Sequence, residues 1–583
     1  MTHPHYLRGT ERDTGYARQW FTVAGSTTAE SEGDTMVHRL RSLSAVSAIR
    51  QPRSGKVCRE SETFFAATTF WDWVYARTRR NCTPWVIVFN ARWLMHLLEV
   101  ETQVDTFGVE VLTNWDGTGP LFLRLAKPHP SGGRPLRLRV ICHTNIWRGT
   151  SRSEMAASIP NLEEPVDWDH DTSTALTADV LSRMMEGWTQ ALVDGDFGAL
   201  QPTVGRQAMA AVKRRVKAGE LLVHGKPHAE RLEREAYVGG RCEARPGRYE
   251  QVWEADIPSC YPTIMRENPM PGRLVESHET PMGGYLVPSL EDYLDSFLVI
   301  ADVMVQQDVP AIPRRLEGGG ADHPVGEPFR AALPTPWLQW ALEHDAILSV
   351  GTILAYEPTE VLSSLMRDLV SARRGAVVVG NMAGAQTMKV MANAVHGKMG
   401  QRRRVWETVP DEPCPDRYWE GWFGPALDDQ SATPQVYEWR WRDGAAQRLL
   451  RDEGGAESMV AISAHTSAHA RLRLFTLMRL ADEFAGPHGW VYADTDGLYV
   501  TESAKTVLER QGGDLRFSGP YDLHVIKRKQ YRKDGRMVAS GLPAGARQMS
   551  PELWETDRWP AWQLGATEER GRVRVHGQRW GIS

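Results

Sequence analysis

The chain has six cysteines in 583 residues (Cys58, Cys82, Cys142, Cys242, Cys260 and Cys414), and no two form a C-x-x-C pair. That spacing argues against structural zinc and predicts an intracellular protein kept reduced. No apolar run approaches the ~20 residues that a membrane helix requires, and Met1 to Arg8 contains no apolar signal core, so no membrane partner is expected. An overall basic charge is also missing: 68 Lys and Arg against 73 Asp and Glu leave a net charge of −5. The charge is segregated, however, with basic clusters at 213–215, 402–404, 527–533 and 570–579. Local positive grooves therefore remain available to a polyanion. For 402–404 a solvated surface face is an equal alternative. There is no internal repeat and no low-complexity tract. What is abundant is tryptophan, with 22 residues, most of them expected in the cores. A hydrophobic content of 42% over this length predicts several domains.

The most informative segment is Val491-Tyr492-Ala493-Asp494-Thr495-Asp496-Gly497-Leu498-Tyr499-Val500. Two β-favouring arms flank a tight turn that carries two aspartates. Like charges this close need a counter-cation, and Mg²⁺ held by carboxylates and substrate phosphates fits the arrangement. Asp-x-Asp in a turn is, taken alone, more often solvated turn chemistry. A second acidic site lies in Glu254-Ala255-Asp256-Ile257-Pro258-Ser259-Cys260-Tyr261. It reads as a strand ending at Asp256 and a helix opened by Pro258 and Ser259, whose first N–H groups favour a phosphate. An N-capping surface aspartate is the bland alternative.

The segment 384–399 reads as a helix with Lys389, Asn393 and His396 on one stripe. Met388, Met391, Val395 and Met399 form the opposite, core-facing side. A lysine 4 Å from a phosphate gains about 4 kcal/mol at an effective dielectric of 20. An ordinary solvated polar face is the commoner outcome for one such helix.

The order of these elements resembles the family B DNA polymerases, specifically their protein-primed branch of viral and plasmid type. D-x-x-S-x-Y-P matches Asp256 to Pro262, K-x-x-x-N-x-x-x-G matches Lys389 to Gly397, and Y-x-D-T-D matches Tyr492 to Asp496. K-x-Y matches Lys529 to Tyr531, and Y-x-G-G matches Tyr237 to Gly240. The resemblance spans about Phe64 to Gly541. It implies that Asp256, Asp496 and the backbone carbonyl of Ile257 bind two Mg²⁺ ions, with Mn²⁺ as the alternative, and that Asp494 completes the acidic cluster. Lys389, with Arg373 or Arg374, would neutralise the triphosphate. Asn393 and His396 would line the nucleotide pocket, and Tyr261 would block a ribose 2′-hydroxyl. Lys529 and Tyr531 would hold the primer terminus, while Tyr237, Gly239, Gly240 and Arg241 would contact the template. The implied partners are primer-template DNA, deoxynucleoside triphosphates and a terminal protein primer. The implied place of action is the cytoplasm of a bacterial or virus-infected cell. Three residues depart from the family pattern: Ala394-Val395-His396 replaces Ser-x-Tyr, Gly497 replaces Ser, and Cys260 stands where Leu is common.

The expected fold is multidomain, mixing α/β and α+β: a right-hand polymerase of palm, fingers and small thumb with an N-terminal RNase H-like exonuclease-type domain. After a mobile lead-in over 1–55, a degenerate exonuclease-like domain is expected over 56–200. Palm segments are expected at 201–275 and 458–530, insertions at 276–355 and 401–457, fingers at 356–400 and a thumb at 531–583. The exonuclease acids are aligned to Phe65, Ala67, Leu94 and Asp179, so only one of four survives and no proofreading is expected. A catalytically silent DNA-binding factor is the competing class, and a primase-type or translesion polymerase is a variant of the first. Retention of Asp256, Asp494, Asp496 and Lys389 favours catalysis, since unused buried charges are costly.

Overall fold

The computed structural model describes residues 4–539 apart from short stretches, among them 10–16, 100–105, 114–120, 163–171, 410–421 and 426–435. Beyond 539 it describes four short strands. Arg92, Trp93, Pro413, Pro415, Trp419 and most of the expected thumb lie outside the described residues. No helix among the described residues is long and apolar enough to cross a membrane.

The N-terminal domain is built on an eight-stranded sheet. Its two longest strands, Gln19–Glu32 and Thr35–Arg50, pair antiparallel, and Trp85–Val88 runs parallel to the first of them. The expected lead-in over 1–55 is therefore wrong from residue 19 onward. Trp20, Phe21 and Val23 are fully buried there, and truncating Trp20 to Ala would cost about 3–5 kcal/mol. Helix Thr172–Asp194 covers this sheet. Ser44 Oγ meets Thr174 Oγ1 at 2.8 Å, and Thr22 Oγ1 donates to the Ala178 carbonyl at 2.6 Å.

That topology also corrects the first exonuclease alignment. Phe65 is exposed after the edge strand Val57–Phe64, and Ala67 opens helix Ala67–Arg77. The strand beside Asn90 is Gln19–Glu32, where the Phe89 N–H donates to the Val23 carbonyl at 2.9 Å. Residues 19–29 of that strand contain no acid either. Leu94 is buried, and Asp179 is ion-paired with Arg183 at 2.7 Å.

The central sheet has seven antiparallel strands in the order Cys242–Ala244, Trp490–Asp494, Gly497–Val500, Gly247–Asp256, Arg516–Lys527, Gln530–Lys533 and Arg536–Ala539. Helix Val460–Ala485 packs behind it and also reaches a second sheet made of Met270–Glu276, Ile347–Thr359, Leu298–Val305 and Phe329–Pro334. Phe475 of that helix joins Trp337 and Val299 in the core of this second layer. Two long helices, Val361–Val378 and Met382–Met399, lie against each other and against helix Cys260–Glu267, which follows strand Gly247–Asp256 of the central sheet. A four-stranded sheet including Arg402–Val409 and Ala445–Gly454 separates them from helix Val460–Ala485 in sequence. The chain thus leaves the central sheet after Asp256 and returns to it at Trp490.

Candidate active site

Strand register builds the site. Asp494 pairs with Gly497, Gly497 with Asp256, and Asp256 with Arg516, so one row crosses four strands. Directly opposed residues project to the same face of a sheet, which puts Asp494, Asp256 and Arg516 on one side. Asp494 and Asp256 stand two strand spacings apart, about 10 Å. Gly497 between them leaves the floor open: a Cβ there would meet only the Asp494 carbonyl, at 3.8 Å.

The turn then carries Asp496 toward Asp256. Thr495 adopts φ +61°, the Asp496 N–H returns to the Asp494 carbonyl at 2.7 Å, and the Asp496 carbonyl accepts the Ile257 N–H at 2.8 Å. Burial, then Glu254, raises the Asp256 carboxyl above its ordinary range, against the pull of Lys389 and Arg516. Burial, then Asp256 itself, raises the Asp496 carboxyl. Two crowded carboxylates of this kind fit a divalent cation, which would relieve the repulsion that raises them both.

Of the three acids that the resemblance implies, Asp494 also acts electrostatically on Asp496, more weakly than Asp256 does. Among the described residues no three His, Cys, Asp or Glu side chains stand together as a metal site. Asp494 lies on the far side of Gly497, and Lys529 Nζ holds both its oxygens, at 2.5 and 2.7 Å. Lys529 sits at φ +61° in the turn before strand Gln530–Lys533 and also donates its N–H to Tyr492 Oη at 3.2 Å. The residues that fit a cation are therefore Asp256 and Asp496, with the Ile257 backbone between them.

The long helices supply the rest of the wall. Lys389 is exposed and acts electrostatically on both Asp256 and Asp496. Asn393 Nδ2 donates to the Lys389 carbonyl at 3.0 Å. Arg373 Nη1 donates to Ser259 Oγ at 3.0 Å, and Arg374 is exposed. Ser259 itself, at φ +50°, starts helix Cys260–Glu267.

His396 departs from the expected exposed stripe. It is buried, and desolvation lowers its imidazole to about 4, so it is neutral. Its ring stacks on Tyr261 with centroids 4.2 Å apart and planes at 19°, and Tyr237 meets it edge-on at 5.7 Å. Tyr261 thus rests on a fixed aromatic backing.

The Tyr237–Arg241 segment divides into two roles. Gly239 has open space where a Cβ would stand. At Gly240 an added Cβ would meet Thr495 Oγ1 at 2.4 Å, so this glycine is required by close approach to the aspartate turn. Arg241 is not placed to contact a template: it is 1% exposed and bonded to the Pro310 and Ala311 carbonyls. Tyr531 lies half-buried against Tyr492, at 4.7 Å between centroids. Sequence reasoning missed Arg516 and Glu254. Glu254 shares the face of Asp256 two residues away and is held by Lys533 at 2.7 Å, a spacing readable in the strand; no local pattern flags Arg516.

The family described as DNA polymerase type B, organellar and viral, matches residues 175–409. Phi29 DNA polymerase, in its ternary complex with primer-template DNA and incoming nucleotides, aligns over 97% of this chain and 100% of its own, with a TM-score of 0.63 and 14% identity. The same enzyme complexed with single-stranded DNA aligns with a TM-score of 0.61, again at 14% identity and over 97% and 100% of the two chains. At that identity the likeness establishes the fold. No curated protein matches significantly.

Proposed function

We propose that this chain is a type B DNA polymerase that adds deoxynucleotides to a 3′-hydroxyl under template direction, through Asp256 and Asp496; the family match over residues 175–409 and the likeness of fold support the reading. The observation that carries the reading is the pairing of these two crowded carboxylates beside Lys389 on a face with an open floor at Gly497. Asp256, Asp496 and the Ile257 carbonyl would hold divalent cations. When bound, such ions supply the positive charge that favours a deprotonated primer hydroxyl and a leaving pyrophosphate.

The chain's own residues do the positioning. Lys389, with Arg373 and Arg374 on the neighbouring helix, offers cations to the triphosphate, and the start of helix Cys260–Glu267 offers backbone N–H groups. Tyr261, backed by His396, presents a flat ring to the sugar and leaves little room for a 2′-hydroxyl. Asn393 lines the same pocket. Lys529 is already at the site on Asp494, and with Tyr531 it would hold the primer end, while Tyr237 and Gly239 face the template path.

Two further parts of the reading concern initiation and editing. The layer over 270–359, lying between the central sheet and the long helices in sequence, supports priming from a terminal protein hydroxyl. The absence of acids at 19–29 and at Leu94 supports a domain without proofreading. The test is Mg²⁺-dependent incorporation of labelled nucleotide on a primed template, with an Asp494→Ala/Asp496→Ala control, repeated without DNA primer in the presence of a candidate terminal protein. Incorporation lost in the control supports the reading, and label on that protein supports protein priming. No incorporation by the wild-type chain with Mg²⁺ or Mn²⁺ would favour the silent DNA-binding alternative.

A further inference from the structure

The turn carrying Asp494 and Asp496 is not held by its own hairpin alone. The Thr495 N–H donates to the Arg241 carbonyl at 2.7 Å, and the next residue, Cys242, pairs with Asp494. The position of Arg241 therefore sets where the turn sits. Its side chain is fixed from three directions. Nη2 donates to the Pro310 carbonyl at 2.6 Å and Nη1 to the Ala311 carbonyl at 3.1 Å. Glu243 is ion-paired at 2.5 Å, and the guanidinium lies 4.8 Å from the Phe475 ring. Two residues earlier, the Gly239 carbonyl accepts Arg471 Nη1 at 2.6 Å, and Arg471 Nη2 lies 2.9 Å from His323 Nε2.

Two guanidiniums buried this deeply are an expensive way to stabilise a fold. Burial lowers Arg471 to about 10 and Arg241 from its usual value, and a well-packed apolar pair would often do as well. What they provide that an apolar pair does not is directional fixation of the 239–243 backbone. We propose that Arg241 is a positioning residue: it ties this segment to Pro310–Ala311 of the inserted layer, and its own carbonyl thereby sets the location of the Asp494–Asp496 turn. The insertion is thus mechanically connected to the aspartates across a single side chain. The kinetic part of this inference rests on the polymerase reading, whereas the structural part does not.

The experiment compares Arg241→Gln and Arg241→Lys in the full chain by hydrogen exchange and by nucleotide incorporation. Exchange at the Thr495 amide is expected to rise about tenfold in Arg241→Gln, with amides of helix Val361–Val378 unchanged. kcat is expected to fall about tenfold or more, with the nucleotide KM and the primer-template Kd within about twofold of wild type. Arg241→Lys, which keeps the charge and one carbonyl bond, should recover part of both. Unchanged exchange at Thr495 in a folded variant, or unchanged kcat in a polymerase-active preparation, overturns the proposal. A raised DNA Kd with kcat intact also overturns it and would make Arg241 a DNA contact. If Arg241→Gln fails to fold, Phe475→Leu weakens the same anchor more mildly and must show the same pattern at smaller size. The exchange measurement needs no substrate, so its outcome is separate from whether the chain polymerises.

Discussion

Gly240→Ala and Gly239→Ala should behave very differently although they are neighbours. A Cβ on Gly240 would stand 2.4 Å from Thr495 Oγ1, 2.7 Å from its Cγ2 and 2.8 Å from its Cβ, whereas a Cβ on Gly239 meets nothing within 4 Å. Restoring ordinary contact at 240 requires a displacement of about 1 Å. Rotating the Thr495 side chain does not provide it, because the Thr495 Cβ is itself too close. The backbone must yield, and that backbone is the link between Asp494 and Asp496, tied on one side to Arg241 and on the other to Ile257. Overpacking of this kind costs about 1–3 kcal/mol of stability, and a misplacement near 1 Å can cost about 100-fold in rate. The assay is single-turnover incorporation with saturating primer-template, alongside thermal unfolding. Gly240→Ala should lose about 10- to 100-fold in rate with DNA affinity nearly unchanged. Gly239→Ala should keep the wild-type rate within about twofold, any effect falling on template affinity. Full activity in Gly240→Ala, or equal losses in both, would refute the argument that this glycine serves the aspartate turn.

Four other outcomes are expected. Asp496→Asn should make the protein more stable without Mg²⁺, because the wild-type carboxyl is raised by burial and by Asp256. Such a group favours the folded state only while protonated, so its contribution fades as pH rises through the raised value, and the gain should appear at neutral pH and vanish in acid. After solvent screening, removing that repulsion should be worth on the order of 1 kcal/mol, or about 1 °C in Tm for a chain of 583 residues. Lys529→Met should change stability by less than about 1 kcal/mol, because its pair with Asp494 is partly exposed, but should weaken primer-template binding in a fluorescence anisotropy titration. Tyr261→Val should raise the incorporation efficiency of ribonucleotides relative to deoxynucleotides by about 10- to 100-fold, measured as a ratio of kcat/KM values. The wild-type chain should show no 3′–5′ degradation of a labelled primer, and Asp179→Ala should leave that baseline unmoved.

Local patterns were legible in the sequence and long-range register was not. The Asp494–Asp496 hairpin, the strand ending at Asp256 and the helix bearing Lys389 each announce themselves within a dozen residues through turn chemistry or periodicity. Arg516 faces Asp256 only because of how strand Arg516–Lys527 pairs with Gly247–Asp256, and that register includes two irregularities. Lys529 reaches Asp494 through a left-handed backbone position that no propensity assigns to lysine. The strands between 19 and 50 read as loop in the sequence because they bury small polar residues on both faces, Thr22, Ser42 and Ser44 on one and Ser47 on the other. They are buried here because partners such as Thr174 and the Ala178 carbonyl satisfy them. His396 looked like a polar-stripe residue, and only the tertiary stack on Tyr261 shows it as a neutral aromatic surface.

The most direct measurement is nucleotide incorporation by Asp256→Asn and Asp496→Asn, each compared with wild type at equal primer-template occupancy in Mg²⁺. Each substitution keeps size and hydrogen-bonding shape while removing one of the two facing charges. Loss of at least about 1,000-fold in either variant, with DNA still bound, is the predicted result. Incorporation by either variant at a rate near that of wild type would contradict the assignment of these carboxylates as the catalytic pair.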